Sequence, residues 1–287
     1  MVTHTRYKIT KSHPRSTIRV TFPDDQVLEG PTGSTIEDFL LTAGEDSPQA
    51  FDNLIMGAIL DGRLRELAYP VQRDATLEPV LLSSSDGGRI YRRSLVMLLA
   101  VAVDELWPGT KVEVSYAVPD GGFYCKIQKR DFLSSEEIIQ LYEHMREIVA
   151  ADDPISKRMA PLEEANALFE ARDDQDKVRL LEQRTRDDLT LYTLRDRQDY
   201  YFGYMVPSTG YLQHFRLIAA PGGFILQYPR KENPSQLGNI TAATKLTAVF
   251  QEADAATVFT AAVAGPAPGR KPGDAQTDAI DARCPSG

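Results

Sequence analysis

Few side chains in this sequence are suited to acid–base, nucleophilic or metal chemistry, and their spacing does not group them. Of the four histidines, His144 falls on a helix surface and His214 in a strand pattern. Both positions suit a structural role better than proton transfer. Cys125 and Cys284 make no disulfide framework and fit a reducing compartment. Arg92 and Arg93 are neighbours with fixed charges that could meet a phosphate, although such arginines more often stay solvated or paired. Asp196 and Asp199 precede an aromatic run of Tyr200, Tyr201, Phe202 and Tyr204. Those rings could stack on a base, and filling a pocket is their ordinary use. A phosphate-cradling loop needs Gly-x-x-x-x-Gly-Lys-[Ser/Thr], so that backbone amides surround the phosphate and Lys reaches it. The nearest imitation, Gly265-Pro266-Ala267-Pro268-Gly269-Arg270-Lys271-Pro272, has the wrong glycine spacing, an inserted Arg and a Pro in place of the hydroxyl. Proline also removes an amide donor. No catalytic residue, metal ligand or cofactor is expected, and ATP is not an expected ligand.

The elements that would position these residues are easier to read. The chain has 287 residues, 42% of them hydrophobic and 25% charged, which suits about two domains of roughly 100–200 residues each. The longest apolar stretch, 95–103, is far shorter than the roughly 18 residues of a membrane span. No signal peptide is evident at the start, so the expected location is cytoplasmic, with no membrane partner. A net charge of −9 argues against bulk attraction to nucleic acid. The exception is a basic, flexible arm over 1–16, where Arg6, Lys8, Lys11 and Arg15, followed by Arg19, precede the first acid, Asp24.

Residues 17–85 read as strands around one helix. The pattern includes a Pro23-Asp24-Asp25 turn and a Ser34-x-x-Glu37 capping box over a helix at 35–43. Further strands are expected at 56–60, 63–67 and 77–82. The Ser/Gly run 83–88 reads as a flexible boundary. A second unit, 90–233, begins with an apolar helix over 91–107. It continues with strands near 111–117 and 122–127, a helix capped by Ser134 and Glu137, and a third helix near Pro161. Strands return at 189–194, 212–219 and 223–228. Blocks of helix and strand make the fold class α+β. A helical connector is expected over 234–260, its helix at 244–256, and a disordered tail over 261–287.

Residues 17–82 resemble a TGS domain, a ubiquitin-like β-grasp module. The second unit resembles the second additional, editing-like domain of threonyl- and alanyl-tRNA synthetases. Leu106-Trp107-Pro108-Gly109-Thr110-Lys111-Val112 resembles the family's Phe-Pro-Gly-x-Lys-Val. Asp120-Gly121-Gly122-Phe123-Tyr124 resembles its Asp-Gly-Phe-Tyr with one extra Gly, and Val206-Pro207-Ser208-Thr209-Gly210 reproduces its Val-Pro-Ser-Thr-Gly. In the editing synthetases a His-x-x-x-His pair on the first helix, and a Cys and a His before the last block, form a hydrolytic site. The resemblance puts Arg93 and Met97, then Tyr201 and Met205, at those four places. A fixed cation, two thioethers and a phenol replace the reacting groups, so hydrolysis is not expected. Tyr91-Arg92-Arg93-Ser94-Leu95 and the helix-like run from Lys245 to Phe250 are similar to bacterial uridine or nucleoside kinases that carry the same two domains ahead of a P-loop kinase. The expectation from that likeness is a chain ending where the kinase would begin.

The resemblance implies a non-catalytic nucleotide- or RNA-recognition or regulatory module. Its degenerate pocket would comprise Arg92, Arg93, Met97, Asp199, Tyr201 and Met205. The implied ligands are a nucleotide or a tRNA 3′ end, with a protein partner docking on the TGS domain as a further possibility. The rival expectation is an enzyme, either part of an active nucleoside kinase or an editing hydrolase with unfamiliar residues.

Overall fold

The computed structural model describes residues 13, 15–45, 54–118, 121–128, 130, 133–182, 184 and 186–239. The helix expected over 244–256, the tail with its glycine-rich imitation and Cys284, Asp120, and the arm residues Arg6, Lys8 and Lys11 lie outside them. The fold is α+β, with several sheets and five α-helices among the described residues.

A hairpin of β1 (Thr17–Thr21) and β2 (Val27–Pro31) turns at Asp25, whose φ is 65°. Helix α1 (Ile36–Glu45) follows, then β3 (Ile55–Leu60), β4 (Arg63–Arg65) and β5 (Ala75–Leu81). The five strands lie in the order β2-β1-β5-β3-β4. Only β1 and β5 run parallel. Ile18, Val20, Ile55, Ala58 and Leu77 turn one face toward Ile36, Phe39 and Leu40 of α1 and bury it. The capping box lies one residue later than expected. Thr35 Oγ1 accepts from the Asp38 N–H at 3.1 Å, and Asp38 accepts from the Thr35 N–H at 2.7 Å. Ser34 is committed elsewhere, because its N–H and C=O bond Pro31 and Val71. Arg15, expected on the solvated arm, and Arg19, which follows it, are ion-paired with Asp74 and Glu29.

The Ser/Gly run 83–88 is not a flexible boundary. Ser84 caps α2 (Ser85–Leu106), its Oγ accepting from the Gly87 N–H at 3.0 Å, so the helix starts six residues before the expected Tyr91. Glycine serves close approach here rather than freedom. A Cβ on Gly87 would stand 2.0 Å from the Leu81 carbonyl oxygen. Gly87→Ala is therefore expected to cost about 1–3 kcal/mol by overpacking the β5–α2 junction. An unchanged midpoint in urea would show that the junction yields.

Helix α2 is buried along most of its length and is the centre of the larger core, which Met56 of β3 and Leu82, just after β5, also enter. A four-stranded sheet lies in the order β11-β12-β7-β6, formed by β6 (Val112–Val118), β7 (Gly122–Ile127), β11 (Arg216–Ala220) and β12 (Gly223–Gln227). Helix α3 (Ser135–Ala151) has the expected Ser134–Glu137 capping box and buries Ile138, Leu141, Met145 and Ile148. A three-stranded sheet, β10-β9-β8, comprises β8 (Ser156–Pro161), β9 (Asp188–Leu194) and β10 (Arg197–Tyr200). Helices α4 (Leu162–Ala171) and α5 (Gln175–Glu182) accompany it.

The sequence pattern does not announce β8, β10 or α5. The strand expected from 212 begins only at Arg216. Leu212 closes a 3-10 turn, Thr209–Tyr211, and the Tyr91 hydroxyl holds both backbone groups of His214. No helix among the described residues is long and apolar enough to cross a membrane.

Candidate functional site

Positions 93 and 97 are four apart and share one face of α2. That face meets the segment that leaves β10 and runs past residues 203–206. Arg93 is half-buried and donates from Nη1 to the Tyr204 carbonyl. Burial lowers its pKa, with Arg89 and Arg92 acting in the same sense. The guanidinium occupies the space beside Gly203. That residue has φ 113°, and a Cβ on it would stand 2.7 Å from Arg93 Cζ. Met97 and Met205 are 0% and 2% exposed, both in the larger core. Tyr201 packs against that core, and burial raises its pKa further from any use as a base. The four positions thus serve packing, Met97, Met205 and Tyr201 in or against the larger core and Arg93 against the Tyr204 backbone. A thioether is at most a weak acceptor, and an arginine cannot give up its proton near neutral pH.

Asp199 is 1% exposed at the end of β10 and is fully engaged. It is ion-paired with Lys177 and accepts from Arg197 Nη2 at 2.9 Å and from its neighbour's N–H at 2.7 Å. Burial works to raise its pKa, but the charges of Lys177 and Arg197 outweigh that and hold it below the usual carboxylate value. The carboxylate holds the hairpin and α5 together and has no free oxygen to serve as a base. Arg92 points elsewhere, its guanidinium 5.2 Å from the Tyr228 ring centroid. The sequence pattern grouped it with Arg93; one helical step of about 100° separates them.

Ser94, which follows the arginines, is fully buried and structural. Its hydroxyl donates to the Ile90 carbonyl at 2.9 Å and accepts from the Val206 N–H at 3.0 Å. His144 lies between Glu105 and Glu147, at 2.6 and 3.2 Å. Burial, and then Arg146, lower the His214 pKa and favour its neutral form. Burial pushes the Cys125 thiol up to about 12, which leaves it unreactive. Among the described residues, no three His, Cys, Asp or Glu side chains lie close enough to hold a metal ion.

Several residues around the 203–205 turn went unnoticed in the sequence. Tyr204 OH accepts from Arg65 Nη1 at 3.3 Å, and Lys157 Nζ lies 5.5 Å from its ring centroid. Lys157 is also ion-paired with the buried Glu66. The Tyr192 hydroxyl lies 3.0 Å from the Gly203 carbonyl and 3.2 Å from Glu66. These contacts join strand β4 of the first sheet to the second unit, and no sequence spacing announces them. Phe202 projects from the turn and is 86% exposed.

No protein-family model matches the chain. Over 208 residues, 72% of the chain, it is 33% identical to a threonine–tRNA ligase of Listeria welshimeri. The figure is 29% over 208 residues for the threonine–tRNA ligase of Polaromonas naphthalenivorans. For the ligase of Halalkalibacterium halodurans it is 31% over 209 residues. The matched stretch is 32% of each relative. The chain thus spans about a third of the length of the curated relatives it matches, and over most of its own length it is similar to threonine–tRNA ligases.

Proposed function

We propose that the chain is a non-hydrolytic tRNA-recognition module, with residues 17–85 as a TGS-type β-grasp unit and residues 90–233 as an editing-like unit. One observation carries the non-hydrolytic part. The four positions that the resemblance assigns to reacting groups are filled by packing, with Met97 and Met205 in the core and Arg93 bonded to the Tyr204 carbonyl. The similarity to threonine–tRNA ligases supports tRNA as the partner. The strand order β2-β1-β5-β3-β4 around α1 supports the first assignment. A narrower relation, to the N-terminal part of a nucleoside kinase, rests on the runs 91–95 and 245–250. It adds nothing to the chemistry of the described residues.

The recognition surface is the rim of the filled pocket. Phe202 offers an exposed ring for a terminal base, and Arg65 and Lys157 bring positive charge to the same turn. Stacking of a base on an aromatic side chain contributes about 1–3 kcal/mol. Phe202→Ala is therefore expected to weaken tRNA binding by about 5- to 150-fold, with unchanged folding. Filter binding with intact tRNA and with tRNA lacking its 3′-terminal adenosine checks this. Equal binding by both tRNAs and by the variant would remove the stacking role. Seryl-tRNA should remain acylated when incubated with the chain; catalysed deacylation would overturn the non-hydrolytic reading.

A further inference from the structure

The start of α2 borders an open cleft of about 330 Å³, lined by Arg89, Arg92, Arg230, Lys231, Ser84 and Tyr228 among others. Glu232 also lines it, 3.3 Å from Arg230, and Asp86 lies 3.1 Å from Arg89. Both pairs are exposed, so neither holds its arginine firmly. No ion pair among the described residues involves Arg92 or Lys231. Arg92 instead lies over the Tyr228 ring, and Lys231 is exposed. Among the described residues, four cations against two carboxylates leave two positive charges concentrated in one cleft of a chain whose net charge is −9.

Gly121, just before β7, gives way to this cluster. Gly121 has φ 89°, and a Cβ there would stand 2.8 Å from Arg230 Cγ. Glycine at 121 therefore leaves room for the arginine stem. After β12, the chain is held at Arg230 by the Asn233 N–H, which donates to the Arg230 carbonyl at 3.0 Å. The backbone at Arg230 is therefore held, while its guanidinium is paired only with the exposed Glu232.

We propose that this cleft binds a phosphoryl group. Guanidinium forks match phosphate oxygens with paired donors, and the two uncompensated charges suit a dianionic phosphate ester better than a single carboxylate. The site goes beyond the tRNA reading and does not require it, because its residues lie outside the Arg93–Tyr204 contact. Two sources share the phosphoryl oxygens, a free phosphate monoester, which is dianionic, and an RNA backbone, which carries one charge on each phosphate.

The test is calorimetric titration of the full chain with inorganic pyrophosphate, followed by competition. Saturable binding is expected, weakened at least about 10-fold in the Arg92→Gln/Lys231→Gln double variant. Its thermal midpoint should stay near that of the unaltered chain. Should the double variant fail to fold, Lys231→Gln alone, at an exposed position, gives the same readout. Displacement of pyrophosphate by a nucleoside monophosphate but not by RNA lacking terminal phosphates supports the free ester as source. Displacement by that RNA supports the backbone. Absence of saturable pyrophosphate binding, or equal affinity in the variant, overturns the site. Phe202→Ala should leave pyrophosphate affinity unchanged, so a failure of the tRNA reading stays separate from a failure of this one.

Discussion

Asp199→Asn is expected to lower the unfolding free energy by about 3–5 kcal/mol, the usual cost of removing one partner from a buried ion pair. The loss falls mainly on Lys177. Arg197 keeps its contact with Asp104, whereas Lys177 retains Asp174, at the 4.0 Å limit of an ion pair, and the Phe169 ring 5.2 Å away. Burial already holds the Lys177 pKa below its ordinary value, so stripping its carboxylate leaves an ammonium in a site that disfavours charge. Adding Lys177→Met to the Asp199→Asn variant should then recover part of the loss, because the stranded charge is gone.

The pH dependence has a definite sign. The folded pKa of Asp199 lies below that of an unfolded aspartate, near ~3.9. Its contribution is therefore fully present above that value and disappears as pH falls through the lower, folded one. Urea denaturation should show the full gap between the unaltered chain and the Asp199→Asn variant at neutral pH, and a shrinking gap below about pH 4. A constant gap down to about pH 2 would mean that the charge on Asp199 contributes nothing.

The α+β class and most of the second unit's helices and strands were legible because local patterns decide them. Ser134 and Glu137 form the box their spacing announces, and Ile138, Leu141, Met145 and Ile148 mark the buried stripe of α3. Elements whose partners are distant in sequence were not legible. Strand β8 carries Lys157, Arg158 and Met159, a poor strand pattern, and exists because it pairs with β9. The Ser/Gly run misled for a related reason. Composition cannot distinguish a glycine that frees the chain from one that lets a helix touch the strand before it, as Gly87 does at Leu81. At the candidate site, the sequence identified which groups stand at positions 93, 97, 201 and 205. It could not reveal that Arg93 would find the Tyr204 carbonyl, nor that Arg92 would face a different cleft.

The run Val206-Pro207-Ser208-Thr209-Gly210 has a structural explanation that needs no catalysis, and Thr209→Val tests it. Thr209 is fully buried, and its hydroxyl works in both directions. It donates to the Ile148 carbonyl at 2.7 Å and accepts from the Asp153 N–H at 2.8 Å. Ile148 sits in the last turn of α3, where carbonyls have no partner within the helix. The helix then ends at Asp152 in the left-handed conformation, φ 53°. The Asp152 carboxylate accepts from Ser208 Oγ and from the Gly210 N–H, and a Cβ on Gly210 would stand 2.2 Å from its Oδ1. At the other end of the run, Val206 is bonded to Ser94 on α2. The block therefore clasps the two principal helices of the core. Valine keeps the shape of threonine but strands a part-buried donor and a buried acceptor, the latter costing about 1–3 kcal/mol and the former less. A loss of about 2–5 kcal/mol in unfolding free energy is expected for Thr209→Val. Thr209→Ser, which keeps the hydroxyl and deletes one methyl, should lose only about 1 kcal/mol. If Ser and Val are equally destabilising, the methyl rather than the hydroxyl holds the clasp, and the bonding account of the run fails.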